Sequence, residues 1–197
     1  MTQRPSHTSG QRGFTLVETM IAVTILTVGI VGLLAVFGTA VAVTNNAQEN
    51  LIARQKALEA MESIYTARNT QQITFSEIGN IASGGIFTNG PVALWSAGPD
   101  GLVNTADDIP FPASGACPAG PECVTLPGAD GILGTADDQA FSLSNFTRTI
   151  AIGTVLESDG VTIDPNLKQI TVTVSYSTGG SSVPRSYTVT ALISAFR

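Results

Sequence analysis

The sequence predicts an α+β protein in which one long amino-terminal helix precedes an antiparallel β-sheet. An apolar stretch of about 30 residues, 14–43, runs into a segment, 45–69, whose apolar side chains recur at helical spacing. In the carboxy-terminal third, apolar and polar residues alternate instead, as they do in half-buried strands. The two periodicities together define the fold class.

The apolar stretch predicts a transmembrane helix. Glu18 is the only ionisable residue between Gly13 and Thr44, and no proline occurs from residue 6 to residue 90. The stretch is longer than the ~20 residues that span a bilayer. A buried core helix would be shorter, and a secretory signal peptide would be followed by a clear small-residue cleavage site. Residues 14–43 are therefore assigned to the membrane.

Residues 1–13 form a basic leader that contains Arg4, His7 and Arg12 and no acid. Under the positive-inside rule this leader stays in the cytoplasm, so the rest of the chain is exported. The exported part would meet an oxidising compartment, in which Cys117 and Cys123 can pair. We therefore expect a single-pass membrane precursor.

Composition excludes several classes of function. The net charge of −6 argues against nucleic acid as a partner, and the single histidine, His7, makes a histidine-based catalytic centre improbable. No nucleophile–base pair, phosphate loop or redox motif occurs in the chain. The sequence therefore predicts a protein that is not an enzyme.

The helix is expected to continue to about Arg68 with an amphipathic half, 44–68. Its apolar face would comprise Leu51, Leu58, Met61, Ile64 and Tyr65, with charged residues on the other faces. Such a face needs a domain to pack on, so we expect it to lie on the sheet.

Glu18 is unusual because an ionised carboxylate in hydrocarbon costs several kcal/mol and normally has a partner. No basic residue lies in the apolar stretch, so a partner must come from elsewhere, such as a free amino terminus on another copy. The alternative is that Glu18 lies at the membrane interface and is hydrated.

Residues 13–18, GFTLVE, followed by the long apolar helix and preceded by a short basic leader that ends in glycine, resemble the prepilin signature of type IV pilins and type II secretion pseudopilins. The resemblance implies that a prepilin peptidase cuts between Gly13 and Phe14 and methylates the new amino group. Glu18 would then neutralise that amino terminus on a neighbouring pilin subunit during assembly. The mid-helix proline of many major pilins is absent.

The resemblance also implies the pilin fold, with a variable loop region between helix and sheet. The runs TILTVGIVGLLAVF and ARQKALEAMESI look more like minor pilins of the V type, or related pseudopilins, than like a major pilin. The predicted organisation is a leader (1–13), an apolar half-helix (14–43), an amphipathic half-helix (44–68), a variable region (69–140) and a sheet (141–197).

The variable region contains an internal repeat. The segment 98–108, GPDGLVNTADD, recurs as 128–138, GADGILGTADD, with seven of eleven positions identical. Their carboxylates suit two sites for Ca²⁺, which takes six to eight oxygens. The candidate ligands are Asp100, Asp107 and Asp108 in the first repeat and Asp130, Asp137 and Asp138 in the second, with the carbonyls of Leu102, Asn104, Ile132 and Gly134 as further candidates.

Two other interpretations of the repeats stay open. They could be two solvated Asp-Gly turns, although turns do not require matching flanks. A catalytic carboxylate pair has no other active-site feature beside it. The spacing is not that of an EF-hand, because no glutamate closes the loop. A calcium-bearing loop in pseudopilins is a precedent by resemblance only.

Cys117 and Cys123 enclose five residues rich in proline and glycine, which predicts a small disulfide loop. Free thiols and a metal site are the alternatives, but zinc would need two more ligands than the neighbourhood supplies.

Three strands are predicted after residue 140. Their apolar positions alternate over 146–152, with a run on to Leu156, over 170–176 and over 187–193, and a turn at 179–182 joins the last two. Residues 86–95 are a further candidate strand.

The expected function is that of a filament subunit, a minor pilin of a type IV pilus. It would be processed by a prepilin peptidase, assembled with other pilins through its apolar helix, and located in the inner membrane and then in a pilus, the periplasm or the cell surface. The alternatives are a type II secretion pseudopilin and a membrane-anchored, calcium-dependent binding or adhesion module.

Overall fold

A computed structural model describes Gly13 and residues 15–113, 117–178 and 183–196. The chain divides into two compact units, one ending at Asn45 and one beginning at Asn46. The elements in chain order are α1 (Leu16–Asn69), a 3₁₀ turn (Ile81–Ser83), β1 (Val92–Ala93), β2 (Cys123–Leu126), β3 (Gln139–Ser142), β4 (Phe146–Leu156), β5 (Ile163–Tyr176) and β6 (Arg185–Ser194).

Helix α1 confirms the predicted long helix. Its first part is apolar and exposed on every side from Leu16 to Asn45, and its mean hydropathy and length are sufficient to cross a membrane. Threonine hydroxyls in this part donate to carbonyls three or four residues earlier, as Thr24 does to Met20 O at 2.8 Å. These bonds satisfy the hydroxyl groups inside the helix itself, which suits an apolar environment.

The part of α1 in the second unit packs on the sheet through a face that matches the predicted one in part. Met61 and Ile64 are buried as predicted, and Tyr65 is partly buried against the core. Leu51 and Leu58 are 62% and 42% exposed, so the leucine-based assignment of the face was wrong for these two. Half of the buried residues of α1 are alanines, which the prediction did not include: Ala53, Ala57, Ala60 and Ala67. The spacing of large apolar residues alone does not reveal a face that alanines share.

The main sheet has the order β1-β4-β5-β6 and is antiparallel throughout. Phe146 pairs with Tyr176 in the β4–β5 ladder, and Tyr176 pairs with Arg185 in the β5–β6 ladder. The three predicted strands are therefore present as a meander. The predicted turn at 179–182 lies outside the described residues, and of the candidate strand at 86–95 only Val92–Ala93 forms β1.

Alternation along β4 and β5 places one face of the sheet in the core. Ile150, Ile170, Val172 and Val174 are fully buried there, whereas the threonines between them are partly exposed. Beside β4, Asn80 donates through Nδ2 to Ile150 O at 2.7 Å and accepts from Ile152 N at 2.9 Å. The side-chain amide of Asn80 thus bonds to the β4 backbone beyond Arg148, the residue of β4 that pairs with the first residue of β1.

A second, two-stranded sheet is formed by β2 and β3, with Cys123 opposite Ser142 and Leu126 opposite Gln139. The two strands and the residues between them form a hairpin, 123–142, which contains the second aspartate repeat at its end. Phe141 of this hairpin contacts Phe146 edge-on, with ring centroids 6.3 Å apart, and so attaches the hairpin to the main sheet.

Candidate functional site

The predicted assembly residue, Glu18, lies in the first turn of α1. Thr15 caps this helix, because its Oγ1 accepts a hydrogen bond from Glu18 N at 3.3 Å. Thr15 and Glu18 have the spacing of a capping box. Glu18 is exposed, and among the described residues no ion pair involves it. Gly13 is exposed, while Phe14 lies outside the described residues.

The two repeats fold as two loops that share four hydrogen bonds of their aspartates; they differ in that Thr105 Oγ1 also donates to Asp108 Oδ1, whereas Thr135 Oγ1 donates to Ile132 O. The first aspartate loop (98–108) is closed by carboxylates that accept from nearby backbone and hydroxyl groups. Its bonds are Leu102 N to Asp100 Oδ1 (2.8 Å), Asn104 N to Asp108 Oδ2 (2.7 Å), Thr105 Oγ1 to Asp107 Oδ1 (2.7 Å) and Asp100 N to Asp107 Oδ2 (3.4 Å).

The second aspartate loop (128–138) repeats each bond at the equivalent positions. These bonds are Ile132 N to Asp130 Oδ1 (2.8 Å), Gly134 N to Asp138 Oδ2 (2.7 Å), Thr135 Oγ1 to Asp137 Oδ1 (2.7 Å) and Asp130 N to Asp137 Oδ2 (3.3 Å). The sequence repeat is thus a structural repeat, and the aspartates and the threonine that the two copies share are the side chains that make these bonds.

Two glycines in each loop are required by the backbone. Gly101 and Gly131 have φ of 69° and 70°, a conformation that costs glycine little. A Cβ on Gly98 would lie 2.3 Å from Asp107 O, and one on Gly128 would lie 2.2 Å from Asp137 Oδ2. The first glycine of each repeat therefore allows the chain to close on itself.

The loops differ in how they are attached. In the first loop Leu102 and Val103 are 1% and 4% exposed and belong to the core. The equivalent residues of the second loop, Ile132 and Leu133, are 60% and 61% exposed. The same local fold is therefore part of the core in one copy and exposed in the other.

Asn104 anchors the first loop to the sheet through a buried arginine. Arg148 on β4 is fully buried, and its Nε donates to Asn104 Oδ1 at 2.7 Å. Asn104 Nδ2 in turn donates to Arg148 O at 3.0 Å, and Asn104 O accepts from Thr88 N at 2.7 Å. The second loop has Gly134 at the equivalent position, which offers no side chain for such an anchor.

The charge of Arg148 is only partly compensated. Neither of its Nη groups has a hydrogen-bond partner among the described residues. Burial lowers the pKa of Arg148, while the carboxylates of Glu122, Asp108 and Glu59 oppose that shift. Burial also raises the pKa of Asp108, against hydrogen bonds from Asn104 and Thr105. The first loop is thus electrostatically coupled to the core.

Lys56 of α1 belongs to the same group of charges, in which Glu122 is buried and Glu59 is exposed. Its Nζ lies 2.6 Å from Glu122 Oε2 and 2.8 Å from Glu59 Oε2. Burial alone would lower the pKa of Lys56, but its hydrogen bonds to Glu122 and Glu59 outweigh burial and raise it. This ion pair ties the helix to the residue that precedes Cys123.

Cys117 and Cys123 form a disulfide, as the sequence predicts. Glu122 N donates to Leu94 O at 2.6 Å, and Leu143 N donates to Glu122 O at 2.8 Å. The disulfide therefore closes a short loop at the base of the 123–142 hairpin, where the hairpin joins the main sheet.

The aspartates supply hard oxygen donors, but their carboxylates do not converge. Among the described residues, no group of three or more Asp, Glu, His or Cys side chains is placed to hold a metal ion. Hydrogen bonds from the Thr105 and Thr135 hydroxyls lower the pKa of Asp107 and Asp137, so both are ionised at neutral pH. One buried oxygen, Asp138 Oδ1, has no hydrogen-bond partner in the described part of the chain. The donor types fit Ca²⁺, and binding would require the carboxylates to turn from their backbone partners.

Comparison with known families gives one match. Residues 8–34 match the model of the prokaryotic N-terminal methylation motif. The chain carries the amino-terminal signal of type IV pilins and pseudopilins. No curated protein and no solved structure matches the chain.

The motif supports a type IV pilin-like or pseudopilin precursor and points to a structural subunit instead of an enzyme. Its residues include Gly13, Phe14 and Glu18, and it ends inside the apolar part of α1. The signal and the apolar helix together fit a membrane-anchored precursor. Helix and antiparallel sheet form the α+β, pilin-like arrangement that the sequence predicts.

Sequence reasoning missed the anchor formed by Asn104 and Arg148. Arg148 stands in the apolar alternation of β4, between Phe146 and Ile150. An arginine at such a core position is rarely buried without a partner, so it could have indicated a buried polar contact. Its partner was not predictable, because Asn104 lies far earlier in the chain, in a loop.

Proposed function

We propose that this chain is a structural subunit of a type IV pilus filament. It is inserted in the inner membrane as a precursor, and prepilin peptidase removes residues 1–13 and methylates the amino group of Phe14. The methylation motif over residues 8–34, placed so that Glu18 lies in the first turn of α1, carries the proposal.

The apolar part of α1 supplies the assembly surface. Every described residue from Thr15 to Asn45 is exposed in the single chain, and all but Glu18 are uncharged. Once this helix leaves the membrane, burying it among neighbouring subunits keeps its apolar area away from water, which is favourable. Other pilin subunits are therefore the expected partners of this helix.

Glu18 would set the register between neighbours. An unpaired carboxylate in an apolar filament core is penalised by several kcal/mol. The amino terminus of Phe14 on an adjacent subunit would compensate it, and only one axial offset brings the two charges together. No such cation exists within the apolar part of the chain itself.

The experiment is a comparison of Glu18→Ala with the matched control Thr24→Ala, both at exposed positions of the apolar helix. Glu18→Ala is expected to insert in the membrane normally and to be absent from sheared filaments, whereas Thr24→Ala should assemble. Normal incorporation of Glu18→Ala would refute the role of this carboxylate. Mass spectrometry of the filaments should find a methylated Phe14, and a retained leader in assembled material would contradict the proposed processing.

The finer assignment is to a minor pilin of the V type, which the two helix runs favour. A type II secretion pseudopilin carries the same kind of signal, and it would be found in a periplasmic assembly instead of in sheared surface filaments. An adhesion module that uses the helix only as an anchor would remain monomeric in membranes. Fractionation of the tagged full chain distinguishes these three.

We also propose that the aspartate loops bind Ca²⁺. Oxygen donors of the preferred type support the proposal, as does Asp138 Oδ1, which has no hydrogen-bond partner among the described residues. The bound ion would cross-link backbone and carboxylate oxygens within each loop and reduce the motion of the second loop, which the core does not hold.

Calorimetry on residues 46–197 tests the calcium proposal. Saturable binding is expected below millimolar Ca²⁺, and Asp130→Asn combined with Asp138→Asn should remove one site. Asp159→Asn is the control, since Asp159 closes an exposed turn by accepting from Val161 N and Thr162 N at 2.9 Å outside both loops. Absence of saturable binding at millimolar Ca²⁺ would leave the loops as solvated turns.

A further inference from the structure

The two aspartate loops differ in how many of their carboxylate oxygens the protein already engages. In the first loop both oxygens of Asp108 accept hydrogen bonds, Oδ1 from Thr105 Oγ1 at 3.1 Å and Oδ2 from Asn104 N at 2.7 Å. In the second loop Asp138 Oδ2 accepts from Gly134 N at 2.7 Å, whereas Oδ1 is buried and has no hydrogen-bond partner among the described residues. The last carboxylate of the repeat is therefore fully engaged in one copy and half engaged in the other.

The backbone carbonyls of the loops show the same difference. Asn104 O accepts from Thr88 N at 2.7 Å and from Thr88 Oγ1 at 2.9 Å. Asp100 O accepts from Gln72 Nε2. The carbonyl of Gly134, which is equivalent to that of Asn104, accepts no such bond in the part of the chain that the structure describes. A metal ion must compete with these bonds for each oxygen, so the first loop offers fewer oxygens to it.

Burial separates the two loops further. Leu102 and Asn104 are 1% and 0% exposed, so the backbone of the first loop cannot turn its oxygens toward an ion without opening a packed core. Ile132 and Gly134, at the equivalent positions, are exposed. The second loop can therefore rearrange around an ion, and the ion can keep part of its water shell.

A buried positive charge lies beside the first loop only. Arg148 is fully buried, its Nε donates to Asn104 Oδ1 at 2.7 Å, and Asn104 N donates to Asp108 Oδ2. Asn104 thus links the guanidinium to the carboxylate of Asp108, and the two charges attract each other. The hairpin 123–142, which contains the second loop, has no lysine or arginine. The protein itself therefore compensates part of the negative charge of the first loop and not that of the second.

We propose that Arg148 takes the place of a metal ion at the first aspartate loop, so that the second loop is the tighter of the two Ca²⁺ sites. The inference rests on the proposed calcium binding and adds the order in which the loops fill. An ion at the first loop meets a buried cation and oxygens that are already bonded. At intermediate Ca²⁺ concentration the ion would order the exposed end of the hairpin and leave the loop in the core unchanged.

Calorimetry of the full chain in detergent, titrated with CaCl₂ alone, tests the order of filling. Asp107 and Asp137 are a matched pair, because both are exposed and accept the same threonine bond at 2.7 Å. The unchanged chain should show two affinities at least about tenfold apart. Asp137→Asn should weaken the tighter site by about tenfold or more, and Asp107→Asn should leave that site unchanged.

Arg148→Met tests the role of the buried charge. Because it removes the charge, the weaker site should bind Ca²⁺ about tenfold more tightly, whereas Arg148→Lys keeps the charge and should not. If Arg148→Met does not fold, Asn104→Gly gives the first loop the residue of the second and should shift the weaker site in the same direction. Gly134→Asn is the control and should leave the tighter site unchanged, because the hairpin contains no arginine.

Two sites of equal affinity, or loss of the tighter site in Asp107→Asn instead of Asp137→Asn, would overturn the inference. A weaker site that is unchanged in both Arg148→Met and Asn104→Gly would do the same. A single site that Asp137→Asn removes supports it. All of these results include saturable binding, so they leave the calcium proposal standing. Absence of binding in every variant and in the unchanged chain would reject the calcium proposal, and the inference with it.

Discussion

Asn104 and Gly134 occupy the same position in the two aspartate loops, of which the first is part of the core and the second is exposed. Both have positive φ, 63° and 89°, which asparagine tolerates better than most residues and glycine adopts freely. Only asparagine can add side-chain bonds to that backbone. One residue difference within a shared loop conformation therefore accompanies the difference in attachment.

Substitution of the first glycine in each loop tests this difference. Gly98→Ala and Gly128→Ala introduce the same clash, with Asp107 O at 2.3 Å and Asp137 O at 2.3 Å. Gly98→Ala should lower the free energy of unfolding of residues 46–197 by about 2 kcal/mol, the usual cost of overpacking at a constrained site. Gly128→Ala should cost less than about 0.5 kcal/mol, because an exposed loop deforms locally. Denaturant titration measures both.

Gly153→Ala is a suitable control for that comparison, since its new Cβ would meet only Gln169 O at 4.0 Å. It should leave the free energy of unfolding nearly unchanged. Equal losses from Gly98→Ala and Gly128→Ala would show that the second loop is held as firmly as the first, contrary to its exposure.

At the scale of elements, the long helix and the strands of the meander were predictable because their signals are local. A sustained run of one periodicity specifies α1, and the alternation in β4, β5 and β6 specifies which side of each strand is buried. The face of α1 was mispredicted at Leu51 and Leu58 because alanine carries little weight in a hydrophobic pattern. A small side chain is buried wherever neighbouring elements cover it, so its burial depends on the tertiary packing.

The 123–142 hairpin was less predictable. Strands β2 and β3 have four residues each, too few for a periodicity to emerge, and the repeat at the hairpin's end dominates the sequence signal. The repeat predicted two equivalent acidic loops. It could not show that the carboxylates accept hydrogen bonds from the backbone of their own loop, because that depends on the φ angles of Gly101 and Gly131. It also could not show which of the two copies would be buried.

At the scale of the whole molecule, the core belongs to one unit. All of its members lie between Ile52 and Ile193, and the membrane-type part of α1 contributes none of them. A compact unit with its own core is expected to fold independently. The apolar helix would then serve anchoring and assembly, while the second unit supplies the aspartate loops.

Removal of residues 1–45 tests that division of roles. The fragment 46–197 should be released from the membrane fraction and should unfold cooperatively. Its free energy of unfolding should lie within about 0.5 kcal/mol of that of the full chain, the range expected for changes outside a core. Both proteins are measured by denaturant titration in the same mild detergent, so that the detergent cannot account for a difference. A fragment that loses several times that amount would show that the apolar helix stabilises the second unit as well as anchoring it. In that case the exposed surface of α1 would not be reserved for neighbouring subunits, and the assembly role of the helix would need a different basis.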